Sequence, residues 1–381
     1  MRYELTQEQR IIRENAHRFA QAEIAPRADE CEETGKWPYD TWEKMRKLGY
    51  TGIIVPEKYG GSGMSTLDYV FVLEEFARAD DAFTTSYQVH QLISDMFLLF
   101  GSEAHKDQYL PILASGEKMG SFALTEPNAG SDASAIQTRA VLKDGEWIIN
   151  GTKIFITNAG LANSLGVVLM AVTGQREDGK KEISSIIVPK DTPGFIIGNK
   201  FRKIGWNVMD TRELIFEDCR VPAGNVFGTR GKGIAQALGG LNIGRIAFGA
   251  IGTGIAQAAL DYALKHSKDR VQFGKPICKF QAIQAKLADM AVNVEVARQL
   301  TYRAAWLKDQ GKPHHTEATI AKLAASEIAV KNVLLSFQIH GGYGFMKEYP
   351  ISRLYRNVKM MEIGEGTSEV CRMVIARNLG C

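Results

Sequence analysis

The stretch TRAVLKDGEWIINGTKIFIT, residues 138–157, decides the fold class, because apolar and polar residues alternate in it with a period of two. Asp144-Gly145 and Asn150-Gly151 divide it into three short runs, and such dipeptides between alternating runs are strong signals for β-hairpins. Similar runs follow at 167–172, 183–188 and 213–217, with no helix of the length that a parallel βαβ unit needs. The pattern therefore predicts an antiparallel β domain and argues against a dinucleotide-binding Rossmann domain.

The regions on either side of this stretch have the period of α-helices. Before it, Thr6 and Gln9 form the pattern of a capping box, and Gly101-Ser102 end one apolar helical run and begin the next. After it, the helical runs are long, as in a bundle, and their apolar stripes are most simply core. The stripes are Leu287, Met290, Val294, Ala297 and Thr301, and Ile320, Leu323, Ala324, Ile328 and Leu335.

These periods divide the 381 residues into three parts. We predict an α+β fold with an N-terminal helical domain at residues 1–118, a middle antiparallel β domain at 119–230 and a C-terminal four-helix-bundle-like domain at 231–381. The length agrees with this division, since a domain usually takes roughly 100–200 residues.

Composition and charge exclude several classes of function. The chain has 46 Lys+Arg against 43 Asp+Glu, a net charge of +3, and no basic block, so we expect no nucleic-acid partner. Its five cysteines include no CxxC pair and His314-His315 make a poor metal pair, so we predict neither a disulfide framework nor a metal site. No apolar run approaches the ~20 residues of a membrane span, and the acidic residues near the start are unlike a signal or transit peptide. We therefore expect a cytoplasmic protein without a membrane span.

Three segments offer groups for binding a ligand, and each has a plainer alternative. The loop Phe122–Asp132 presents backbone amides and small polar side chains to a flat or phosphorylated ligand, or is a connecting turn. Phe155 and Thr157, two apart on a strand, lie on one face and can cover a ring and bond its edge, or simply end a half-buried strand. The segment 338–344 exposes backbone amides, or is an ordinary glycine cap of a helix.

A fourth segment contains an acid suited to catalysis. Glu365 lies between Gly364 and Gly366, just before a helix that Thr367 or Ser368 can cap. A carboxylate held there among apolar neighbours can act as a general base with a raised pKa. The alternative is an exposed loop acid, which is the commoner fate of a glutamate.

The order of these segments and the helical–β–helical layout closely resemble the acyl-CoA dehydrogenase family over essentially the whole chain. Five motifs carry the resemblance: LTEPxAGSD at 124–132, NGxKxFIT at 150–157, RxxFGK at 270–275, QxxGG at 338–342 and EGTSE at 365–369. In that family FAD lies between the β domain and the C-terminal helices, and an acyl thioester of coenzyme A lies beside it.

The resemblance implies which residues hold the cofactor and the substrate. The flavin and its nearby phosphates would be contacted by Phe122, Leu124, Thr125, Gly130, Ser131, Phe155, Ile156 and Thr157. The FAD of a neighbouring subunit would be contacted by Arg270, Phe273, Gln281, Gln338, Ile339, His340, Gly341 and Gly342, and the site would be completed by Thr367, Ser368 and Glu369. The acyl-CoA would meet Ser131, Asn242, Ile243, Gly244, Arg245 and Gly366.

By the same resemblance Glu365 is the catalytic base. It would remove the α-proton of the thioester while a hydride passes from the β-carbon to flavin N5, leaving a 2-enoyl-CoA. The backbone N–H of Glu365 and a ribityl hydroxyl would stabilise the charge that develops on the thioester oxygen. Some members carry the base instead on the helix that contains Asn242–Arg245, where this chain has Gly244.

Four positions depart from residues common in the family. Gly364 replaces a tyrosine of several straight-chain enzymes, which predicts a wider pocket and a branched or cyclic acyl group. Phe83 stands in the neighbourhood where glutaryl-type enzymes have an arginine, which argues against a dicarboxylic substrate. Asn242 replaces an acid often found there, and Phe155 replaces a tryptophan while keeping an aromatic ring.

The resemblance also predicts a homotetramer and an electron-transfer flavoprotein as electron acceptor. Two alternatives keep the same fold and flavin: an enoyl-CoA reductase, or a ring acyl-CoA dehydrogenase that acts at a more distant carbon. A third is a non-catalytic binding relative, which the presence of Glu365 and the small net charge disfavour.

Overall fold

The computed structural model describes residues 5–381. In that part of the chain, six helices precede the sheet: α1 (Gln7–Phe19), α2 (Ala28–Thr34), α3 (Tyr39–Lys47), α4 (Thr66–Ala79), α5 (Asp81–Phe100) and α6 (Glu103–Ala114). The predicted capping box is present at α1, where Thr6 and Gln9 exchange hydrogen bonds. Gly101 ends α5, and Ser102 caps α6 by accepting the amide of His105, as the sequence predicts.

The strands of the middle region are β1 (Phe122–Ala123), β2 (Arg139–Lys143), β3 (Glu146–Thr157), β4 (Gly166–Gln175), β5 (Lys181–Pro189), β6 (Phe195–Lys200), β7 (Thr211–Pro222) and β8 (Val226–Phe227). They lie in the order β6-β7-β3-β2-β4-β5-β8, with β1 beside β4. Most pairs are antiparallel as predicted, but β4 is parallel to both β1 and β2, so the sheet is mixed. β3 lies between β7 and β2, whereas β4 pairs with the opposite edge of β2. The chain therefore crosses over β2 between the end of β3 and the start of β4.

The prediction of a hairpin turn at Asn150-Gly151 is wrong. β3 continues through this dipeptide, and its register against β7 shifts between Ile149 and Gly151, which is a β-bulge. Gly151 has a φ of 147°, and a Cβ at this position would stand 2.6 Å from Oγ1 of Thr138. Glycine is needed here because a neighbouring strand approaches closely, and this requirement cannot be distinguished from a turn in the sequence.

Five helices and a short hairpin make up the rest of the described chain: α7 (Gly233–Asp269), β9 (Val271–Gln272), β10 (Lys275–Pro276), α8 (Gln281–Asp309), α9 (His315–His340), α10 (Pro350–Asn357) and α11 (Ser368–Asn378). Close packing around α7 depends on glycine, because a Cβ at Gly252 or Gly254 would lie 2.8 Å from a carbonyl of α9 or 2.4 Å from one of α4. Within residues 5–381, α7 is the one helix long and apolar enough to cross a membrane, but 89% of its apolar window is buried inside the protein, as in a core helix.

The two predicted apolar stripes have different environments. On α8, Met290, Val294, Ala297 and Thr301 are buried as predicted. On α9 the larger side chains of the stripe are only half-buried, whereas most of the buried residues are small, and Lys322 is buried among them. Tight helix packing in the interior favours small side chains, so the most apolar stripe of α9 is not its most buried face.

One hydrogen-bonded group joins the three regions of the chain. The buried carboxylate of Asp81, on α5, accepts the indole N–H of Trp206 at 2.6 Å and the side-chain amide of Asn357, on α10, at 3.0 Å. Asn357 in turn accepts the backbone N–H of Trp206 at 2.9 Å. Each region therefore contributes one residue to a closed triangle of hydrogen bonds.

Candidate active site

The turn formed by residues 364–367 presents Glu365. The backbone is left-handed at its two central residues, with φ of 55° at Glu365 and 94° at Gly366. Glycine adopts this conformation freely, whereas a glutamate is strained in it. The turn is fixed at both ends, because the N–H of Gly364 donates to the carbonyl of Met360 at 2.9 Å and Thr367 caps α11 by accepting the N–H of Val370 at 3.2 Å.

The carboxyl group of Glu365 lies directly against α7. A Cβ placed at Gly244 would be 2.5 Å from Oε2 and 3.1 Å from Oε1 of Glu365. Any side chain at position 244 would displace the carboxyl group. The absence of a side chain at Gly244 therefore leaves the room that the carboxyl group of Glu365 occupies.

The environment of Glu365 is suited to proton transfer near neutral pH. Burial raises the pKa of Glu365 to about 7, and this effect outweighs the opposing positive charges of Arg245 and Lys322 and a hydrogen bond from Gln88. Within the described chain, Oε2 of Glu365 has no hydrogen-bond partner. A general base works best when its pKa is near the working pH and it has a free oxygen to receive the proton.

Two further donors beside the carboxyl group are also unpaired. The backbone N–H of Glu365 makes no hydrogen bond to any part of residues 5–381. Arg245 is buried on α7 and donates from Nη1 to Oγ1 of Thr319 at 3.2 Å, while its Nε has no partner among the described residues. Unpaired N–H groups next to a base can stabilise an oxygen on which negative charge develops.

Sequence reasoning missed three buried polar residues around Glu365. Lys322 on α9 is fully buried, Gln88 on α5 interacts with the carboxyl group, and the hydroxyl of Tyr69 on α4 is buried without a partner in the described chain. The pKa of Tyr69 is raised well above its usual range by burial and by the negative charges of Asp95 and Glu365. Lys322 and Tyr69 are polar residues within runs of apolar or small neighbours, whereas Gln88 lies among other polar residues and has no such signal in the sequence.

The loop after β1 is held by a buried ion pair. Nζ of Lys153, on β3, donates to Oε1 of Glu126 at 2.7 Å and to the carbonyl of Leu124 at 2.9 Å. Glu126 also accepts the backbone N–H groups of Gln137 and Thr138. A buried carboxylate is costly unless it is paired with a cation and hydrogen-bonded, and Glu126 has both kinds of partner. The loop backbone between 124 and 138 is thereby fixed, while Gly130 and Ser131 remain exposed.

The same loop packs against the helix that carries Gly244. Phe122 and Leu124 belong to one apolar cluster with Ala237 of α7. Gly244 follows Ala237 by two turns of helix, a rise of about 10 Å. The predicted loop and the predicted base thus lie along the same stretch of α7, and Thr125, next to Leu124, is half-buried at this junction.

Phe155 and Thr157 do not follow the regular alternation on which their common face was predicted. Phe155 has a φ of 61° at a second register shift of β3, between Lys153 and Ile156. Its ring is 63% exposed and lies 5.7 Å from that of Phe201, whereas Ile156 is buried in the core of the sheet. The bulge turns an aromatic face outward, and Thr157 remains half-buried behind it.

A cavity of about 500 Å³, called the second cavity to distinguish it from the space around Glu365, lies where α7 and α9 end. It brings together five predicted residues and five that were not predicted. The predicted ones are Arg270, Ile339, His340, Gly341 and Gly342, and the others are His266, Gln272, Ile277, Tyr343 and Met346. The guanidinium of Arg270 lies over the ring of Tyr343 at 5.2 Å, and a Cβ at Gly341 or Gly342 would meet nothing within 4 Å.

Several predicted site residues lie outside this cavity. Phe273 is 93% exposed at the tip of the β9–β10 hairpin, and Gln281 and Gln338 are exposed at the start of α8 and near the end of α9. Near Glu365, Ser368 is buried with a hydroxyl that has no partner in the described chain, and Glu369 is exposed. The substrate candidates on α7 have different environments, since Asn242 is half-buried and Ile243 is buried.

The space beside Gly364 is bounded by an aromatic ring from α7. A Cβ at Gly364 would stand 3.2 Å from Cε1 and 3.3 Å from Cζ of Phe248. The missing side chain at 364 is therefore replaced in part by Phe248. Phe83 lies in the main core, stacked on Trp37 with ring centroids 4.9 Å apart.

The sequence matches three domain families that together span most of the chain. They are the acyl-CoA dehydrogenase N-terminal domain at residues 6–117, its middle domain at 121–219 and its C-terminal domain at 231–380. The chain belongs to the acyl-CoA dehydrogenase family. It is an oxidoreductase that acts on CH–CH bonds.

Full-length relatives include both dehydrogenases and a reductase. A probable acyl-CoA dehydrogenase of Bacillus subtilis, YngJ, is 50% identical over 380 residues, covering 100% of both chains. An acryloyl-CoA reductase (NADH) of Anaerotignum propionicum is 44% identical and covers 100% of this chain and 96% of its own. The comparison with curated relatives therefore leaves the direction of the reaction open.

Solved structures of the family have the same fold. Butyryl-CoA dehydrogenase of Megasphaera elsdenii is 41% identical with a TM-score of 0.96, covering 100% of both chains. A structure described for electron-transferring flavoprotein of Acidaminococcus fermentans contains a chain that is 42% identical, with a TM-score of 0.95, covering 100% of this chain and 99% of its own. An acyl-CoA dehydrogenase of Bacillus anthracis complexed with FAD is 33% identical, with a TM-score of 0.91, covering 99% of this chain and 67% of its own.

The cofactor of this acyl-CoA dehydrogenase is FAD, and the residues present fit it. The second cavity combines the guanidinium of Arg270, which can bind a pyrophosphate through two parallel hydrogen bonds, with open backbone at Gly341 and Gly342 and apolar walls. On the sheet, the exposed aromatic ring of Phe155 is available to pack against a flat ring.

Proposed function

We propose that this acyl-CoA dehydrogenase converts an acyl-CoA to the 2-enoyl-CoA, with Glu365 as the base that removes the α-proton. One observation carries the assignment: the carboxyl group is buried against Gly244, with a pKa raised to about 7 and with Oε2 unpaired in the described chain. The segments 122–131 and 155–157 would hold FAD together with Thr367, Ser368 and Glu369. The predicted residues of the second cavity, Arg270 and 339–342, would reach the FAD of a neighbouring subunit.

The chain's own groups account for the proton transfer. The ionised carboxylate of Glu365 takes the proton from Cα, and the burial of its Oε2 excludes water that would compete for it. The unpaired backbone N–H of Glu365 donates to the thioester oxygen as negative charge develops there. Ser131, Asn242, Ile243, Arg245 and Gly366 would position the coenzyme A thioester beside these groups. When bound, FAD accepts the hydride that leaves Cβ.

A Glu365→Gln variant tests the base. We expect it to fold and to retain its yellow flavin, but not to bleach when acyl-CoA is added, because an amide cannot take the proton. Glu362→Gln, in which an acid paired with Lys359 is changed three residues away, is the matched control and should bleach normally. Normal bleaching of Glu365→Gln would overturn the assignment.

We propose further that the acyl group is branched or cyclic near Cα, because Gly364 adds no side chain next to the base. Phe248, which lies against Gly364, would set the limit to such a branch. A panel of straight, branched, cyclic and aromatic acyl-CoAs, ranked by the rate of flavin bleaching, tests this proposal. The panel also tests the ring acyl-CoA dehydrogenase alternative. If butyryl-CoA bleached faster than every branched and cyclic thioester, the proposal would be wrong.

The second candidate function is reduction of an enoyl-CoA, supported by the 44% identity to an acryloyl-CoA reductase. The same carboxyl group, when protonated, would return the proton to Cα. Parallel assays of acyl-CoA with an electron acceptor and of enoyl-CoA with a reductant distinguish the two directions. A non-catalytic binding protein would show neither reaction.

We propose that the protein is a cytoplasmic homotetramer that passes its electrons to an electron-transfer flavoprotein. Exposed aliphatic side chains on α8, among them Val292 and Val296, and the half-buried stripe of α9 support contacts between subunits. The structural match from A. fermentans supports the electron partner. Sedimentation of the flavin-loaded protein and its oxidation by purified electron-transfer flavoprotein are the tests.

A further inference from the structure

Lys322 is a buried cation that the proposed reaction does not use. It lies in the middle of α9 and is fully buried, on a helix face otherwise made of small residues such as Ala318, Ala321 and Ala325. No carboxylate in the described chain lies within 4 Å of its Nζ. Burying an ammonium group without an ion pair is costly, and an aliphatic side chain would avoid that cost. The arrangement therefore needs a reason beyond packing.

The hydrogen bond of Lys322 indicates that reason. Its Nζ donates to the carbonyl of Gly366 at 2.6 Å. This carbonyl belongs to the turn that carries Glu365, and the only other donor near it among the described residues is the thiol of Cys371, at 3.7 Å. The two ends of the turn are bonded to Met360 and Val370, so Lys322 ties its strained centre to α9.

The charges around Glu365 come from several elements. Arg245 of α7 and Lys322 of α9 favour the ionised carboxylate, Gln88 of α5 bonds to it, and Tyr69 of α4 lies close by. The charged or titratable groups that act on Lys322 are Cys371, Glu365, Arg245 and Glu362. Lys322 is therefore a shared neighbour of the turn and of the carboxyl group.

We propose that Lys322 is a positioning residue for Glu365: through the carbonyl of Gly366 it holds the turn that lays the carboxyl group against Gly244. Its positive charge also favours the ionised form of Glu365. The role rests on the proposed function of Glu365 as the base. Lys322 itself touches neither the reacting carbon nor the proton that is transferred.

Three variants separate this role from general stability. Lys322→Met removes both the hydrogen bond and the charge. Lys322→Gln removes the charge and, being shorter, loosens the bond, and it serves where the methionine variant does not fold. Lys322→Arg retains a cationic donor. The matched control is Lys331→Met, at an exposed position of the same helix.

Two measurements on the flavin-loaded variants test the proposal. In Lys322→Met and Lys322→Gln, we expect hydrogen exchange of the two amides that fix the ends of the turn, those of Gly364 and Val370, to be about tenfold faster or more. The apparent pKa in the pH profile of flavin bleaching should rise by about one unit or more, because a positive charge that stabilises the carboxylate is lost. Lys322→Arg should restore both quantities towards those of the unchanged protein, and Lys331→Met should alter neither.

The outcomes distinguish this proposal from the proposed function. Unchanged exchange of the amides of Gly364 and Val370, or an unchanged apparent pKa, in a folded and flavin-loaded Lys322→Gln or Lys322→Met variant would overturn the positioning role and leave the base assignment intact. Normal bleaching of Glu365→Gln, measured in parallel, would overturn the base assignment and with it the role of Lys322.

Discussion

Glu365 and Gly244 share one small space: Oε2 of the carboxyl group lies 2.5 Å from the point where a Cβ of residue 244 would stand. The two residues come from different elements, the turn before α11 and the middle of α7. A carboxylate extending from either backbone can therefore reach the same region of the site, although only one side chain can be present at a time.

This relationship predicts that the base can be transferred between the two positions. Glu365→Gly should slow flavin bleaching by about a thousandfold, in the range that general-base catalysis contributes. The double variant Glu365→Gly with Gly244→Glu should recover activity to about tenfold or more above the single variant. Single-turnover bleaching measures both. If the double variant were no faster than Glu365→Gly, a carboxylate at position 244 could not replace that of Glu365, and the prediction would be wrong.

The pKa of about 7 at Glu365 predicts opposite pH dependences for the two directions of reaction. Dehydrogenation needs the ionised carboxylate, so its rate should rise as the pH rises through about 7 and then level off. Reduction of an enoyl-CoA needs the protonated carboxyl group, so its rate should fall over the same range. Stopped-flow measurements of flavin bleaching and recolouring between about pH 6 and 8 check this prediction. If the rates of both reactions changed with pH in the same direction, a single titrating group could not explain them.

Breaking the buried ion pair under the 122–132 loop should release the flavin. Lys153→Met leaves Glu126 buried without its cation, which we expect to cost about 3 kcal/mol or more of the free energy of unfolding. The loop that Glu126 fixes should then hold FAD poorly. Flavin absorbance per chain and urea unfolding measure the two effects, with the exposed Lys143→Met as the control. Full flavin content in Lys153→Met would show that the loop does not need this pair.

Arg270 provides a test of the second cavity. Arg270→Met should weaken FAD binding by about tenfold or more, because two charge-assisted hydrogen bonds to a pyrophosphate are lost. Arg270→Lys should be intermediate, since an ammonium cannot form the parallel pair of bonds. Titration of the flavin-free protein with FAD gives the affinities, and the exposed Lys268→Met is the control. Equal affinity for FAD in the unchanged protein, Arg270→Met and Arg270→Lys would show that Arg270 does not contribute to FAD binding.

The sequence predicted features that depend on local chemistry. The capping residues Thr6 and Ser102, the end of α9 at the glycines and the cap at Thr367 follow from side chains that bond their own backbone neighbours. The sequence also predicted that Glu365 lies in a loop just before a helix, and α11 does begin at Ser368. Each of these features depends on residues only a few positions apart, so it can be predicted without knowledge of tertiary contacts.

Features that depend on distant neighbours were missed or misread. The sequence indicates a turn at Gly151, although glycine is needed there because Thr138 approaches closely. The sequence around Lys322 does not indicate its partner, because the carbonyl of Gly366 belongs to a turn that is distant in the chain. Phe155 leaves the regular strand at a bulge whose register is set by β7. In each case the decisive partner lies in another element.

The triangle of hydrogen bonds among Asp81, Trp206 and Asn357 has a consequence for the cooperativity of unfolding. Each of the three regions contributes one of these residues, so moving any one region away from the other two breaks two sides of the triangle. A buried polar group that loses such partners is costly. We therefore expect the three regions to unfold together rather than one at a time.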